Sequence, residues 1–117
     1  MFVNIKIHTL HLLIGFYMDY YSKMTTFNEL FGPSIYLRTL DVFLQHPDEL
    51  MNLREIARRI DRNPGSISRV LPRLVEKDYV TPARIGVKIV AYKLNQANEV
   101  VNLLLEFHER LGKFVTN

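Results

Sequence analysis

The stretch LREIARRIDRNPGSISRVLPRLVEKDYV, residues 53–80, decides the fold. Leu53, Ile56, Ala57 and Ile60 recur at helical spacing, and Ile67, Val70, Leu71 and Leu74 repeat the pattern after a break at Asp61-Arg62-Asn63. Two short amphipathic helices therefore meet across a tight turn. Ala57 is small where the first helix must approach the second closely. Asn63 is a strong N-cap, because its side chain accepts an unpaired backbone N–H of the first turn. Pro64 follows at the first helical position, where its missing N–H costs nothing. Gly65, Ser66 and Ser68 keep the exposed N-terminal face small and polar. The pattern predicts a helix-turn-helix whose second helix, near residues 64–77, can lie in the DNA major groove.

Downstream, Tyr79-Val80 and residues 89–92 (IVAY) read as two strands. Between them RIGVK, residues 84–88, is a turn with glycine at its tip, so the pair forms a hairpin wing. From Asn95, the spacing of Val100, Leu103, Leu104, Phe107 and Leu111 gives a long amphipathic helix ending near Gly112. Upstream, Gly32-Pro33-Ser34 breaks the chain and starts a helix lined by Tyr36, Leu40, Phe43 and Leu44, which ends near His46-Pro47. Leu50-Met51 suits a short strand, and Asn52 caps the next helix.

Residues 53–94 resemble the core of the winged helix-turn-helix regulators, the broad group that includes the MarR-like and ArsR-like repressors. The resemblance rests on LREIARRI, NPGSISRVLPRLVEKD, YVTPA, RIGVK and IVAYKL. It implies a mainly α fold with a small β-hairpin wing and a DNA-binding role. Two residues depart from the pattern. Asp61 or Arg62 stands where many such proteins have glycine, a mild change because Asp tolerates the left-handed conformation. Pro72 lies inside the second helix, where it removes a bond to the Ser68 carbonyl and is expected to bend the helix.

Charge is segregated along the chain. The 117 residues carry +3 overall. Residues 52–94 hold ten bases against four acids, a net +6, whereas residues 1–51 carry −2 and residues 95–117 carry −1. Positive charge thus sits where the helix-turn-helix sits, the footprint of a polyanion-binding face. Ser66, Ser68, Arg69 and Arg73 face away from the apolar stripe of the second helix and are the candidates for base contact, with Asn63 at its start. Arg54 and Arg62, with Arg58 and Arg59, suit phosphates. Arg58 and Arg59 suit pairing with Glu55 or Asp61 equally well. Arg84 and Lys88 flank Gly86 and suit the minor groove or its phosphates.

The expected organisation is an N-terminal extension (1–31) that packs on the domain or dimerises, a winged helix-turn-helix domain (32–94) and a C-terminal helix (95–117) for dimerisation. Val3, Ile5 and Ile7 alternate as in a strand, and Leu10, Leu13, Ile14, Tyr17 and Tyr21 then take helical spacing. A signal peptide fits residues 10–18 poorly, since neither a basic leader nor a small-residue cleavage site frames them. Met24 as a natural start is a further reading. A DNA-reading module of this size covers a half-site, so a homodimer is expected. Its candidate interface is Leu13, Tyr17, Val100, Leu103, Leu104, Phe107 and Leu111.

The chain has no cysteine, so thiolate metal sites and disulfides are excluded, and a reducing cytoplasm, in association with the nucleoid, fits. No run of about 18 apolar residues suggests a membrane span. His8 and His11 can share a helical face but lack a nearby third ligand, so no metal is expected. No catalytic motif and no cofactor-binding glycine loop is present, and an enzyme is not expected. The expected partner is double-stranded DNA, bound by a transcriptional regulator acting as a repressor. The alternatives are a winged-helix protein adaptor and a DNA-organising protein without sequence preference.

Overall fold

A computed structural model describes residues 26–32 and 34–115. The elements follow in the order α1 (Thr26–Phe31), α2 (Ile35–Gln45), β1 (Met51–Asn52), α3 (Leu53–Ile60), α4 (Pro64–Glu76), β2 (Val80–Ile85), β3 (Ile89–Leu94) and α5 (Glu99–Val115). The strands form one antiparallel sheet of order β1-β3-β2, with Met51 opposite Tyr92 and Val80 opposite Leu94.

The helix boundaries follow from capping. The Ser34 side chain accepts the Leu37 N–H and starts α2. Asn52 opens α3 with a reciprocal pair. Its Oδ1 accepts the Glu55 N–H, and the Glu55 carboxylate accepts the Asn52 N–H, each at 2.9 Å. Asn63 opens α4 by accepting the Gly65 N–H at 2.7 Å, with Pro64 in the first turn as the sequence predicts.

Helix α3 ends at Asp61 in the left-handed conformation (φ 57°, ψ 52°), and the Arg62 N–H reaches back to the Ala57 carbonyl at 2.9 Å. Asp is the residue that reaches this conformation at little cost, so the missing glycine matters little. The same device closes α4. Asp78 has φ 64°, and the Tyr79 N–H bonds the Leu74 carbonyl at 3.0 Å. Helix α4 runs unbroken past Pro72, which lies on its exposed side.

The core lies where α2, α3 and α4 converge on the sheet. Ile56 and Ile60 of α3 and Ile67 and Leu74 of α4 are fully buried, as are Phe43 of α2 and Met51 of β1. Burying each such side chain is worth roughly 1.5–3 kcal/mol. Arg38, itself buried, donates through Nη2 to the Ile60 carbonyl at 2.9 Å. That bond satisfies a carbonyl at the C-terminus of α3, where a cation is electrostatically favoured.

Several sequence expectations are corrected. Both wing strands are longer than expected: Tyr79 lies outside β2, and Arg84 lies within it, so the turn is residues 86–88 alone. The last helix starts at Glu99 rather than near Asn95, because Asn98 Oδ1 accepts the N–H groups of Val100 and Val101. It also continues through Gly112 to Val115. Helix α1 was not expected. Its Phe27 is buried and packs against Phe107 and His108 of α5, with ring centroids 5.8 and 5.3 Å apart. Residues 26–31 therefore join the body of the fold. The strand and helix expected before residue 24, including Leu13 and Tyr17, lie outside the described residues.

Candidate nucleic-acid interface

Helix α4 divides cleanly into two faces. Ile67, Val70, Leu71 and Leu74 point into the core, while Ser68, Arg69, Pro72, Arg73 and Glu76 are exposed at matching helical spacing. Ser66 is half-buried at the edge between the two. The Ser68 hydroxyl donates to the Gly65 carbonyl at 2.7 Å, which leaves its lone pairs free to accept.

The two arginines of this face differ. The Arg69 side chain makes no hydrogen bond or ion pair among the described residues. Arg73 lies over the ring of Tyr36 on α2, its guanidinium carbon 4.8 Å from the centroid. Such a contact restricts the side chain while leaving its N–H groups available. Tyr36 is half-buried, and burial pushes its hydroxyl pKa up, aided by Tyr79 and opposed by Arg73.

Asn63 spends its side-chain oxygen on the cap, so only its amide N–H groups remain for a ligand. A Cβ on Gly65 would sit 3.1 Å from that oxygen, so glycine here gives the cap its room. Arg62 reaches only its neighbour's carbonyl, at 3.3 Å from Asp61 O. Arg54 and Arg58 are exposed on α3 and form no ion pair among the described residues.

Arg59 is different from both expectations for it. It pairs with Glu49, in the loop before β1, and its Nη1 lies 3.1 Å from the Met51 sulfur. The Arg59 guanidinium holds the Glu49 carboxyl below the usual carboxylate range, and Glu49 in turn raises Arg59. Arg59 is thus a tie between α3 and the preceding loop. The sequence pattern does not reveal this pairing because the acid lies ten residues upstream, outside the helix.

On the wing, Arg84 and Lys88 are exposed, and Arg84 Nη1 donates to the Val87 carbonyl at 3.2 Å. The guanidinium is therefore held against the turn. The wing is less basic than the sequence suggests, since Ile85, Val87 and Ile89 expose 46%, 84% and 53% of their surface.

The residues expected at an interface between copies fall into two groups. Val100, Leu103 and Phe107 are exposed on α5, whereas Leu104 and Leu111 are half-buried against the core of their own chain. Leu30 and Phe31 of α1 add exposed apolar surface. No group of metal ligands occurs among the described residues, and no helix among them is long and apolar enough to cross a membrane.

Residues 35–84 match the IclR helix-turn-helix domain family. No curated protein matches the chain. Among solved structures, a ZitR variant of Lactococcus lactis is similar at 14% identity and TM-score 0.55, over 67% of this chain and 53% of that one. The chain thus spans about half the length of that protein. Reduced HlyU of Vibrio cholerae is similar at 17% identity and TM-score 0.54, over 84% of this chain and 97% of that one. A MepR variant of S. aureus bound to an oligodeoxyribonucleotide is similar at 14% identity and TM-score 0.55, over 94% and 81%. The described residues therefore form a winged helix-turn-helix fold, within which residues 35–84 are similar to the IclR helix-turn-helix domain.

Proposed function

We propose that this chain is a sequence-specific double-stranded DNA-binding transcription regulator, acting as a repressor by occluding a promoter. The observation that carries this reading is the exposed face of α4, where Ser68, Arg69 and Arg73 stand outward without an acidic partner. Arginine bonds guanine O6 and N7 in a two-pronged geometry, and serine reaches either a base or a phosphate. Arg54, Arg62 and the Asn63 amide meet phosphates beside it, and Arg84 and Lys88 do so from the wing. Phosphate neutralisation makes the affinity salt-dependent. The DNA held by the S. aureus MepR variant supports this reading by likeness of fold alone.

The working unit in this proposal is a homodimer in the cytoplasm. Residues 32–94 read DNA, and the flanking segments hold the two copies together. Val100, Leu103 and Phe107 give an apolar face that a second copy covers, with Leu104 and Leu111 bracing it from within. Two-fold symmetry then sets the two copies of α4 about 34 Å apart, one turn of DNA.

Selection from a random duplex pool at physiological salt tests the proposal. Enrichment of a motif with two half-sites supports it. Uniform recovery points to a DNA-organising protein, and no retention points to a protein adaptor.

A further inference from the structure

The wing ends in an apolar point between two cations. Ile85 and Ile89 are paired directly across the hairpin, so both side chains lie on one face of the ribbon. Val87 caps the three-residue turn and is 84% exposed. Arg84, next along β2, projects from the opposite face, and its guanidinium is held against the Val87 carbonyl. Gly86 permits this shape. Its φ of +75° is one that side chains rarely adopt, although a Cβ there would meet nothing within 4 Å. Val87 is therefore held forward by backbone geometry, with Arg84 and Lys88 beside it.

A wing that only neutralised phosphates would have no use for three exposed apolar side chains at its end. We propose that Val87 is an apolar wedge that enters the DNA minor groove and opens a base step there, with Ile85 and Ile89 packing behind it on sugar edges. The inference rests on the DNA-binding reading and extends it. The minor groove is about 6 Å wide, which admits one tip side chain but not the whole ribbon. Arg84, held at the tip, and Lys88, next to Val87 in the chain, put positive charge where such a tip meets phosphates, a charge complementarity that an apolar protein groove would not supply. Apolar wedges of this kind partly unstack a step and kink the duplex. The energy of unstacking depends on the step, and pyrimidine–purine steps yield most easily. Val87 thus gives sequence preference at a step that no hydrogen bond reads.

The test uses the full chain and a duplex enriched by selection, labelled at both ends for energy transfer and carrying 2-aminopurine at the step beneath the wing. The parent protein is expected to bend the duplex and raise the 2-aminopurine signal. Val87→Ala is expected to lower both and to weaken binding by on the order of tenfold, the value of burying most of a valine side chain. Val87→Ile is expected to keep them. Replacing a TA step by AA under the wing is expected to weaken the parent but not Val87→Ala. If Val87→Ala binds and bends the duplex as the parent does, the wedge is overturned while DNA binding stands. If instead Val87→Ala leaves DNA binding unchanged and alters self-association, the tip belongs to a protein contact, and the wedge is again overturned. If the parent binds no duplex, both the wedge and the reading beneath it fail.

Discussion

His108 Nε2 lies 3.0 Å from Asp41 Oδ1, joining α5 to α2 through a carboxylate that is completely buried. The approach is close, but it lacks the alignment of a good hydrogen bond. The other oxygen, Asp41 Oδ2, accepts the Phe27 N–H of α1 at 2.9 Å. One side chain thus gathers the first and last described helices onto the body that carries the candidate interface.

Removing one member of a buried pair leaves the other in a medium that solvates it poorly. His108→Ala, which also removes the ring packed on Phe27, is therefore expected to destabilise the protein by about 1–3 kcal/mol, read as a drop in the urea midpoint. Asp41→Asn, which still accepts the Phe27 N–H, is expected to cost less than His108→Ala. Equal stability of His108→Ala and parent would show that the pairing contributes nothing.

The tie between Glu49 and Arg59 gives a pH-dependent effect whose sign is fixed. The carboxyl is held below the usual range in the folded chain, so its stabilisation is present above the unfolded value and is lost as pH falls through the folded one. Glu49→Gln is expected to be slightly less stable than the parent near about pH 7, with the gap narrowing as pH falls below the usual carboxylate range and shrinking in salt. Denaturation curves above and below that range check it.

Much of this architecture is legible in the sequence because local chemistry and packing agree. The apolar periods of residues 53–74, Asn52, Asn63, Pro64 and the left-handed Asp61 all point to the same two helices and turn. The expectations that fail depend on neighbours distant in sequence. Glu49 pairs with Arg59, where the sequence offers Glu55 or Asp61, and nothing local to residues 53–60 signals it. The burial of Phe27 depends on α5, about eighty residues further on, and its short helix has too few turns to show a period. On the wing, Ile85 falls in the strand rather than the turn, and among the described residues no helix covers the end of the hairpin, so Ile85 and Ile89 are exposed.

The exposed face of α5 makes a further expectation concrete. Leu103 is 66% exposed, whereas Leu104 is half-buried, so a charge at 103 tests a dimer without breaking the fold. Leu103→Glu is expected to sediment as a monomer at concentrations where the parent is a dimer, with an unchanged circular dichroism spectrum. A parent that sediments as a monomer at the same concentrations contradicts the dimer.

For the wing cations, Arg84→Ala combined with Lys88→Ala is expected to weaken binding to all duplexes. It should also flatten the dependence of log affinity on log salt by about 0.9 for each phosphate that is no longer neutralised. Titrations at several salt concentrations measure this slope, and an unchanged slope would remove both side chains from the interface.

The central claim is that the outward face of α4 reads DNA sequence, and Arg69 tests it most directly because its guanidinium is unengaged among the described residues. The measurement is the affinity of Arg69→Ala for a selected site and for unrelated duplex at one salt concentration. The expected result is a weakening of about 1–3 kcal/mol at the selected site, with relaxed preference at one base pair and a smaller change on unrelated duplex. Equal affinity of Arg69→Ala and parent for the selected site would contradict the account.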